Sequence, residues 1–326
     1  MHYFLNVIFV FMTFQMLQIA PMVDWTHSPF RLLMRLMLPN AKLFTEMMVP
    51  RAIIHQPERH LGHFSLESPL VLQLGGSCPD ELLQAALMAQ RAGFQEVNLN
   101  LGCPSERVQA GSFGACLMKD KPLVVKCLQH LNNHLSIPVT AKTRIGVDEF
   151  DSYTFFRDFI AGIVESGCRE IVVHARKAWL KGLNPKQNRT IPLIDYTYVY
   201  RIAQDFPQVQ FIINGDIKTV PQMEQHLVKV HGVMLGRLAC DNPYLLTDFH
   251  RHLFPEVQLL SREALTQAYF MHIDAEHIPA NRISLYLKPL FNLYHGTIYA
   301  KQWKQALQVA LREKNMQNLL TDLILG

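Results

Sequence analysis

Residues 96–105 read Glu-Val-Asn-Leu-Asn-Leu-Gly-Cys-Pro-Ser, an alternating apolar run that reaches polar Asn100 and then Cys103. Strict alternation predicts a β-strand, and the glycine and proline beside the cysteine predict that the strand stops there. We therefore expect the Cys103 thiol in a turn directly after a buried strand. Because a free cysteine often serves as a small core residue, a purely structural role for Cys103 stays open at this point.

The same pattern, a short apolar run that ends in polar residues or glycine, recurs along the whole chain. The predicted strands are Leu17–Pro21, Leu43–Glu46, Val71–Leu74, Glu96–Asn100, Val139–Thr143, Glu170–His174, Gln210–Asn214 and Gly232–Leu235. Helical patterns lie between them, with boundary signals such as Ser28 and Pro29 before one helix and Gly93 after another. Consecutive strand ends are spaced near the roughly 30 residues of one strand–helix–strand unit.

Eight such units predict an α/β fold, a closed (β/α)8 TIM barrel. An open doubly wound sheet is the rival, but the chain contains no G-x-G and no Walker A motif to bind a nucleotide on such a sheet. After residue 245 helical patterns dominate, including NRISLYLKPLFNLYH at 281–295. We expect an apolar N-terminal extension of unclear role at 1–16, the barrel at 17–245 and a small all-helical domain at 246–326.

The composition predicts a soluble, cytoplasmic protein without a metal site. The 326 residues are 49% hydrophobic and carry a formal charge of +4, which permits an anionic partner without demanding one. Six cysteines include no C-x-x-C pair, so neither a zinc site nor a disulfide framework is expected. The apolar residues 1–15 are too short to span a bilayer, and no basic residue precedes them as in a secretory signal.

Polar residues end most of the predicted strands. In a parallel barrel the carboxyl ends of all strands converge on one mouth, where active sites form. Burying so many polar groups without partners would cost several kcal/mol each, which favours a ligand at this mouth. Each residue alone has an ordinary alternative: Lys142 or Arg144 could be a solvated rim charge, and His174 a hydrogen-bonded core histidine.

Two glycine-containing segments follow the seventh and eighth strands. Asn214-Gly215-Asp216 and Gly236-Arg237 stand where barrels commonly bind a phosphate, with glycine allowing close approach and arginine adding charge. A phosphorylated cofactor is therefore expected. Lys142, on the fifth strand, could then lie over the body of that cofactor.

Eight motifs in order resemble those of the tRNA-dihydrouridine synthases, most closely the A-type subfamily. They are PMVDWT (21–26), TEM (45–47), QLGG (73–76), NLNLGCPS (98–105), KTRIG (142–146), VHARKAWLKGL (173–183), NGDI (214–217) and GR (236–237). The resemblance runs from about residue 17 to residue 245 and is looser beyond. The sequence departs from the family pattern in its apolar start, in its C-terminal part and at Asp216, where glycine is common.

The resemblance implies a flavin barrel that carries FMN, with NADPH as the reductant. It implies a group of residues beside the isoalloxazine ring (Pro21, Met22 and Val23), a pair on its polar edge (Gln73 and Lys142), and a group toward the ribityl phosphate (His174, Asn214, Gly215, Asp216, Gly236 and Arg237). The family's catalytic cysteine maps onto Cys103. The implied reaction reduces uridines 20 and 20a of the tRNA D-loop to 5,6-dihydrouridine.

Saturating the 5,6 double bond of uracil needs a hydride at one carbon and a proton at the other. Flavin N5 can supply the hydride to C6, so C5 needs an acid. An ordinary thiol is largely protonated at neutral pH. Because Pro104 offers no N–H to stabilise a thiolate, Cys103 is predicted to act as a proton donor rather than a nucleophile. Lys142 would stabilise the anionic reduced flavin.

A uracil stacked within folded RNA must be extruded before it reaches a barrel mouth, at a cost of a few kcal/mol. Residues 176–189 contain five Lys or Arg, no acid and one Trp, and are the best candidate for RNA contact, although a solvated charge run is the alternative. The helical domain is nearly balanced in charge, so only a local face, with Arg282, could contribute. The predicted tRNA contacts are Asn100, Arg144, Lys186, Arg189, Lys301 and Lys304.

Two other functions remain open from the sequence. The first is a flavin barrel oxidoreductase acting on a free pyrimidine or another small ring, which would need neither a basic loop nor a helical RNA clamp. The second is a tRNA-binding protein that has lost turnover. No obligate protein partner and no membrane association are predicted, and a monomer is expected.

Overall fold

The computed structural model describes residues 16–62, 64–273, 278–314 and 316. Eight parallel strands form one sheet in the order β1-β8-β7-β6-β5-β4-β3-β2. They are β1 Leu17–Ile19, β2 Leu43–Phe44, β3 Leu70–Leu74, β4 Glu96–Leu101, β5 Val139–Arg144, β6 Glu170–His174, β7 Gln210–Asn214 and β8 Gly232–Leu235. The prediction for the extension at 1–16 falls outside the described residues, apart from Met16.

The sheet closes between its first two strands. The Lys42 N–H donates to the Leu17 carbonyl and the Ile19 N–H donates to the Lys42 carbonyl, both at 2.9 Å. The predicted (β/α)8 barrel is therefore confirmed, with every strand where the sequence placed it. β1 and β2 are about two residues shorter than predicted; after β1, Pro21 has no N–H to offer the ladder.

Helices surround the barrel. They are α1 Ser28–Met37, α2 Pro50–His55, α3 Pro57–Leu61, α4 Pro79–Ala92, α5 Glu106–Ala110, α6 Lys121–His134, α7 Tyr153–Glu165, α8 Tyr196–Asp205, α9 Val220–Leu227, α10 Leu238–Asp241, α11 Leu246–Leu253, α12 Arg262–His272, α13 Ile283–Leu287 and α14 Ala300–Glu313. Gly93 ends α4 as predicted, at φ 96°, a left-handed conformation that glycine adopts without strain. Within the described part of the chain, no helix is long and apolar enough to cross a membrane.

The C-terminal helices α11 to α13 pack against helices of the barrel. α11 contacts it directly: the Asn40 N–H donates to His250 Nε2 at 3.3 Å, and His252 lies 3.0 Å from the Glu224 carboxylate. The domain boundary at residue 246 therefore remains a prediction.

The helical pattern at 281–295 is interrupted, because Pro289 lacks a donor and the chain continues as a 3-10 turn at Lys288–Leu290.

Buried ion pairs lie near the amino ends of the strands. Lys42 Nζ contacts the carboxylates of Glu96 at 2.6 Å and Glu170 at 2.9 Å, and all three side chains are almost completely buried. Gln18 Nε2 donates to Glu170 at 2.9 Å. Mutual pairing offsets the desolvation that each ion would otherwise suffer.

A continuous chain of side-chain hydrogen bonds, here called the lumen spine, runs from these ion pairs toward the carboxyl ends of the strands. Its members all point into the barrel, and each donates to the next: Asn100 Nδ2 to Gln73 Oε1 (2.9 Å), Gln73 Nε2 to Asn98 Oδ1 (2.8 Å), Asn98 Nδ2 to Thr140 Oγ1 (2.9 Å) and Thr140 Oγ1 to Glu96 Oε1 (2.6 Å). A buried polar chain with every member satisfied stabilises one arrangement of the barrel. The spine leads to the mouth.

Candidate active site

Three strands bring predicted site residues together at the mouth. β6 pairs His174 with Asn214 of β7, and β5 pairs Arg144 with His174. Lys142 Nζ donates to Asn214 Oδ1 at 3.2 Å, and Asn214 Nδ2 donates to the Met234 carbonyl at 2.8 Å. A cation, an imidazole and an amide thus converge as the sequence predicted.

Burial changes the protonation of two of these groups. It lowers the pKa of Lys142 to about 7, with the charge of Arg144 acting in the same direction. Burial also holds the pKa of His174 well below its usual value, assisted by the nearby cations, of which Arg144 contributes most. His174 is therefore neutral at physiological pH, and Lys142 is poised to gain a proton when an anionic or hydrogen-bond-accepting group approaches.

The loop after β7, the predicted anion site, has a backbone conformation that requires glycine. Gly215 has φ 133°, and a Cβ there would lie 2.9 Å from Ile194 Cδ1, so only glycine fits. The Tyr196 hydroxyl donates to the Gly215 carbonyl at 2.6 Å and fixes the loop. Asp216 follows at φ 55°, a conformation that aspartate tolerates better than most residues, which explains how it can replace a glycine.

Cations surround the Asp216 carboxylate at long distances. Arg176 and Arg237 approach it at 3.4 Å and Lys218 at 3.3 Å. The buried Nε of Arg176 has no hydrogen-bond partner among the described residues. Three cations facing one carboxylate, with a buried donor left over, fit a phosphate monoester, so these residues are suited to the phosphate of FMN.

The loop after β1 offers an apolar surface. Its turn is closed by the Trp25 and Thr26 N–H groups, which donate to the Met22 carbonyl at 3.0 and 2.9 Å. Val23 is 57% exposed, whereas Met22 is partly buried and its Sδ lies 3.9 Å from Cys240 Sγ. Pro21, Met22 and Val23 therefore form an apolar edge suited to a flat ring, and their contact with the flavin remains a prediction.

Cys103 lies where the sequence placed it, partly exposed after β4. Asn100 Oδ1 accepts hydrogen bonds from the N–H groups of Gly102 at 3.1 Å and Cys103 at 3.0 Å. Cys103 Sγ lies 3.6 Å from Ser105 Oγ. Asn100 thus orients the backbone that carries the thiol, and its contact with the uridine remains a prediction. The amide of Gln73 lies within the lumen spine, and its contact with the cofactor also remains a prediction.

The predicted tRNA contacts fall into two groups. Lys186 and Arg189 are exposed on the loop after β6, and Lys301 and Lys304 lie on α14. Arg144 is buried instead and donates to backbone carbonyls of Gly102 at 2.8 Å, Lys177 at 3.0 Å and Asn188 at 3.1 Å. The structure brings Arg144 to the two loops of the site; direct contact with tRNA remains a prediction for all of these residues.

The sequence reasoning did not name three mouth residues as site residues of their own. Arg176 entered only as the first residue of the basic segment 176–189, although it stands two residues after His174 at the same strand end. Glu46 Oε1 accepts from the Asp24 N–H at 2.5 Å, and burial raises the pKa of its carboxyl group. Lys288, from the C-terminal helices, donates to the Asp24 carbonyl, a contact that no local sequence pattern predicts.

Comparison with known proteins gives a consistent result. Residues 18–324 match the family model described as "Dihydrouridine synthase (Dus)". A protein from Shewanella oneidensis named tRNA-dihydrouridine(20/20a) synthase is 45% identical over 290 residues, 89% of this chain and 87% of that protein. A protein of the same name from Escherichia coli strain K12 is 43% identical over 291 residues, 89% of this chain and 84% of that protein.

Among solved structures, a 2-naphthoyl-CoA reductase in complex with 2-naphthoyl-CoA superimposes with a TM-score of 0.54. It is 9% identical, and the match covers 72% of this chain and 50% of that chain. At this identity the likeness supports the barrel fold alone.

Proposed function

Because the chain belongs to the dihydrouridine synthase family, we propose that it reduces uridines 20 and 20a of the tRNA D-loop to 5,6-dihydrouridine, with FMN as cofactor and NADPH as reductant. The observation that carries this proposal is the 45% identity to a tRNA-dihydrouridine(20/20a) synthase over nearly the full length of both chains. The arrangement of Cys103, Lys142 and the anion site around one barrel mouth supports it.

Several residues would hold FMN at this mouth. The predicted phosphate contacts are His174, Asn214, Gly215, Asp216, Gly236 and Arg237, and Arg176 would join them because its Nε is buried without a partner among the described residues. Lys142 would contact the ring system, and Pro21, Met22 and Val23 would cover its apolar edge. When bound, FMN supplies the electron pair that saturates the uracil double bond.

Cys103 would supply the proton at C5. Asn100 Oδ1 accepts from the Cys103 N–H, so the thiol is carried by a fixed backbone at the barrel mouth. A partly exposed thiol at the mouth can reach a uracil that has been extruded from the tRNA. These features support an acid that protonates the substrate.

The basic loop, residues 176–189, would bind tRNA phosphates. Lys186 and Arg189 are exposed on it, and Lys177 Nζ lies 4.2 Å from the centre of the Trp179 ring. Phosphate contacts supply sequence-independent binding energy, which offsets the cost of unstacking the target base. We propose that residues 246–326, with Lys301 and Lys304, grip the same tRNA, and that the enzyme acts as a cytoplasmic monomer.

The proposal is tested by incubating purified, FMN-loaded protein and NADPH with unmodified tRNA or with free uridine at several salt concentrations. We expect dihydrouridine at positions 20 and 20a of the tRNA, no reduction of free uridine, and a steep loss of tRNA reduction as salt rises. Equal, salt-insensitive reduction of free uridine would instead identify a small-ring oxidoreductase. A protein that binds tRNA but retains no flavin and forms no dihydrouridine would be a non-catalytic RNA-binding protein.

A further inference from the structure

The backbone around Cys103 is anchored on three consecutive carbonyl groups. Each carbonyl accepts a hydrogen bond from a different part of the barrel mouth: Gly102 O from Arg144 Nε (2.8 Å), Cys103 O from the Ala115 N–H (2.9 Å) and Pro104 O from Gln109 Nε2 (2.9 Å). Together with Asn100, these bonds determine where the thiol stands. Two of the three donors are side chains.

Gln109 makes a second bond that leads away from Cys103. It lies on α5, and its Nε2 also donates to the Leu180 carbonyl at 2.8 Å. A primary amide nitrogen carries two hydrogens, so both donors of Gln109 are used, one on each loop. Leu180 belongs to the basic loop, so one side chain joins that loop to the segment carrying Cys103.

The basic loop is rigid where Gln109 meets it. The Leu180 N–H donates to Asp148 Oδ1 at 2.8 Å. Asn188, completely buried, accepts from the Trp179 N–H at 2.8 Å and donates to the Trp179 carbonyl at 2.9 Å. Asn188 Nδ2 also donates to the Leu183 carbonyl at 3.0 Å, so the loop is held on both sides of Leu180. A displacement of the exposed cations of this loop would therefore be transmitted to the Leu180 carbonyl.

We propose that Gln109 is a positioning residue that joins the basic loop to the Cys103 segment, so that tRNA bound on the basic loop holds the thiol in place. This inference rests on the proposed function, because it assumes that Cys103 is the acid and that the loop binds tRNA. It requires two N–H donors on one side chain. Glutamate and methionine have nearly the same length as glutamine and offer none.

The first test measures Gln109→Met and Gln109→Glu in the FMN-loaded protein. Under single-turnover conditions with pre-reduced enzyme, we expect tRNA reduction to slow by about 10-fold, since a small misplacement of a reacting group has effects of this order. The tRNA dissociation constant and the rate of flavin reduction by NADPH should change less than about twofold. A slower single-turnover rate with an unchanged tRNA dissociation constant and an unchanged flavin reduction rate distinguishes a positioning defect from weaker RNA binding and from loss of the cofactor.

A matched control makes the same substitution at the opposite end of the barrel. Gln90 Oε1 accepts from the Ser136 N–H at 2.8 Å, near the start of β5. Gln90→Met removes one glutamine bond to a loop without touching the mouth. All three measured quantities should stay at their wild-type values in this variant.

The second readout needs no turnover. We expect iodoacetamide to label Cys103 several-fold faster in Gln109→Met than in wild type or Gln90→Met, measured by peptide mass spectrometry against the exposed Cys78 as internal reference. Added tRNA should protect Cys103 in wild type and less in Gln109→Met. Exclusion of the reagent by bound tRNA alone would protect both proteins equally.

Wild-type labelling and wild-type turnover in Gln109→Met would overturn the inference, as would parallel loss of turnover, flavin and tRNA binding, which indicates a general structural defect. The proposed function can fail separately. If wild-type protein forms no dihydrouridine while Cys103 labelling still differs between Gln109→Met and Gln90→Met, the link between the loops stands and the assigned reaction does not.

Discussion

Lys288 donates a hydrogen bond from Nζ to the backbone carbonyl of Asp24, 2.7 Å away, although the two residues lie at opposite ends of the chain. The same Nζ lies 4.6 Å from the centre of the Trp25 ring. Asp24 has φ 66°, and its N–H is held by Glu46. The turn predicted to cover the flavin is therefore stabilised by a residue from the C-terminal helices.

Lys288→Met should loosen this turn. A charge-assisted hydrogen bond and a cation–π contact in a partly exposed place together predict a loss of about 1 kcal/mol in the free energy of unfolding. We expect hydrogen exchange of residues 22–26 to accelerate several-fold, measured by mass spectrometry on the tRNA-free protein. Lys126→Met, at an exposed position of α6, serves as control, and equal exchange in both variants would show that Lys288 does not hold the turn.

Cys103→Ala should abolish most product formation. Losing a general acid typically slows a reaction by about 10²- to 10⁴-fold. Single-turnover reduction of tRNA by pre-reduced enzyme should fall within this range, while reduction of the flavin by NADPH stays unchanged. Cys78→Ala, at the exposed cysteine before α4, should behave as wild type. Full activity of Cys103→Ala would assign the proton to another group.

FMN binding should be accompanied by proton uptake at Lys142. With a pKa of about 7, the free Lys142 amine is mostly neutral at pH 8, and an anionic or accepting group beside it favours the charged form. If binding raises this pKa to about 9, roughly 0.8 proton is taken up at pH 8, because the protonated fraction rises from about 0.1 to about 0.9. FMN affinity should then weaken as pH rises from about 7 toward the raised pKa.

Calorimetric titration of apoprotein with FMN, in buffers that differ in ionisation enthalpy, measures this uptake. Lys142→Met should take up correspondingly fewer protons. An identical proton count in the two proteins would assign the uptake to another group.

Lys186→Ala and Arg189→Ala should each weaken tRNA binding and flatten its dependence on salt. Each lost phosphate contact reduces the slope of log affinity against log salt by about 1. Lys229→Ala, just before β8 and exposed at the opposite end of the barrel, is the control and should leave the slope unchanged. Filter-binding titrations at several salt concentrations measure this slope for all three variants. Equal slopes in every variant would show that the basic loop does not contact the tRNA.

Lys42→Met should destabilise the fold and make stability depend on pH. Removing one partner of a buried ion pair typically costs about 3–5 kcal/mol. Burial raises the pKa of Glu96, against the opposing effect of Lys42. A carboxyl group whose pKa is raised by folding binds its proton more tightly in the native state, so native stability increases as pH falls through the raised pKa.

Without Lys42 this rise should be larger, and urea unfolding at pH 5.5 and pH 8 measures it. Adding Glu96→Gln to Lys42→Met should restore part of the stability at pH 8. No difference in pH dependence between wild type and Lys42→Met would show that Glu96 does not titrate in this range.

The sequence predicted the barrel because parallel strands are buried on both faces and read as apolar runs with polar ends. The same regularity located Lys142, His174 and Asn214, since strand ends in a barrel share one mouth. It did not predict that Glu96 and Glu170 face inward, because a polar residue at the start of a strand can point to the lumen or to solvent until the sheet closes.

Side-chain links between distant segments were also beyond sequence reasoning. The bond from Gln109 to Leu180 depends on how two loops pack, and neither residue carries a motif. The contact of Lys288 with Asp24 depends on the fold of the C-terminal helices. In both cases the local structure of each segment can be predicted from its sequence. The contact between the two segments depends on tertiary packing and cannot.

All hydrogen bonds of the lumen spine run in one direction, from Asn100 at the mouth to Glu96 at the base of the barrel. Glu96, with Lys42 Nζ 2.6 Å away, accepts the hydrogen bond from Thr140, so the Thr140 hydroxyl oxygen is left to accept from Asn98. Each amide in the spine donates its N–H toward the base of the barrel and accepts on its oxygen from the mouth side. At the end of the chain, the Asn100 oxygen therefore faces the N–H of Cys103. The acceptor at the base of the barrel and the two backbone donors beside the thiol therefore require the same orientation of every amide between them.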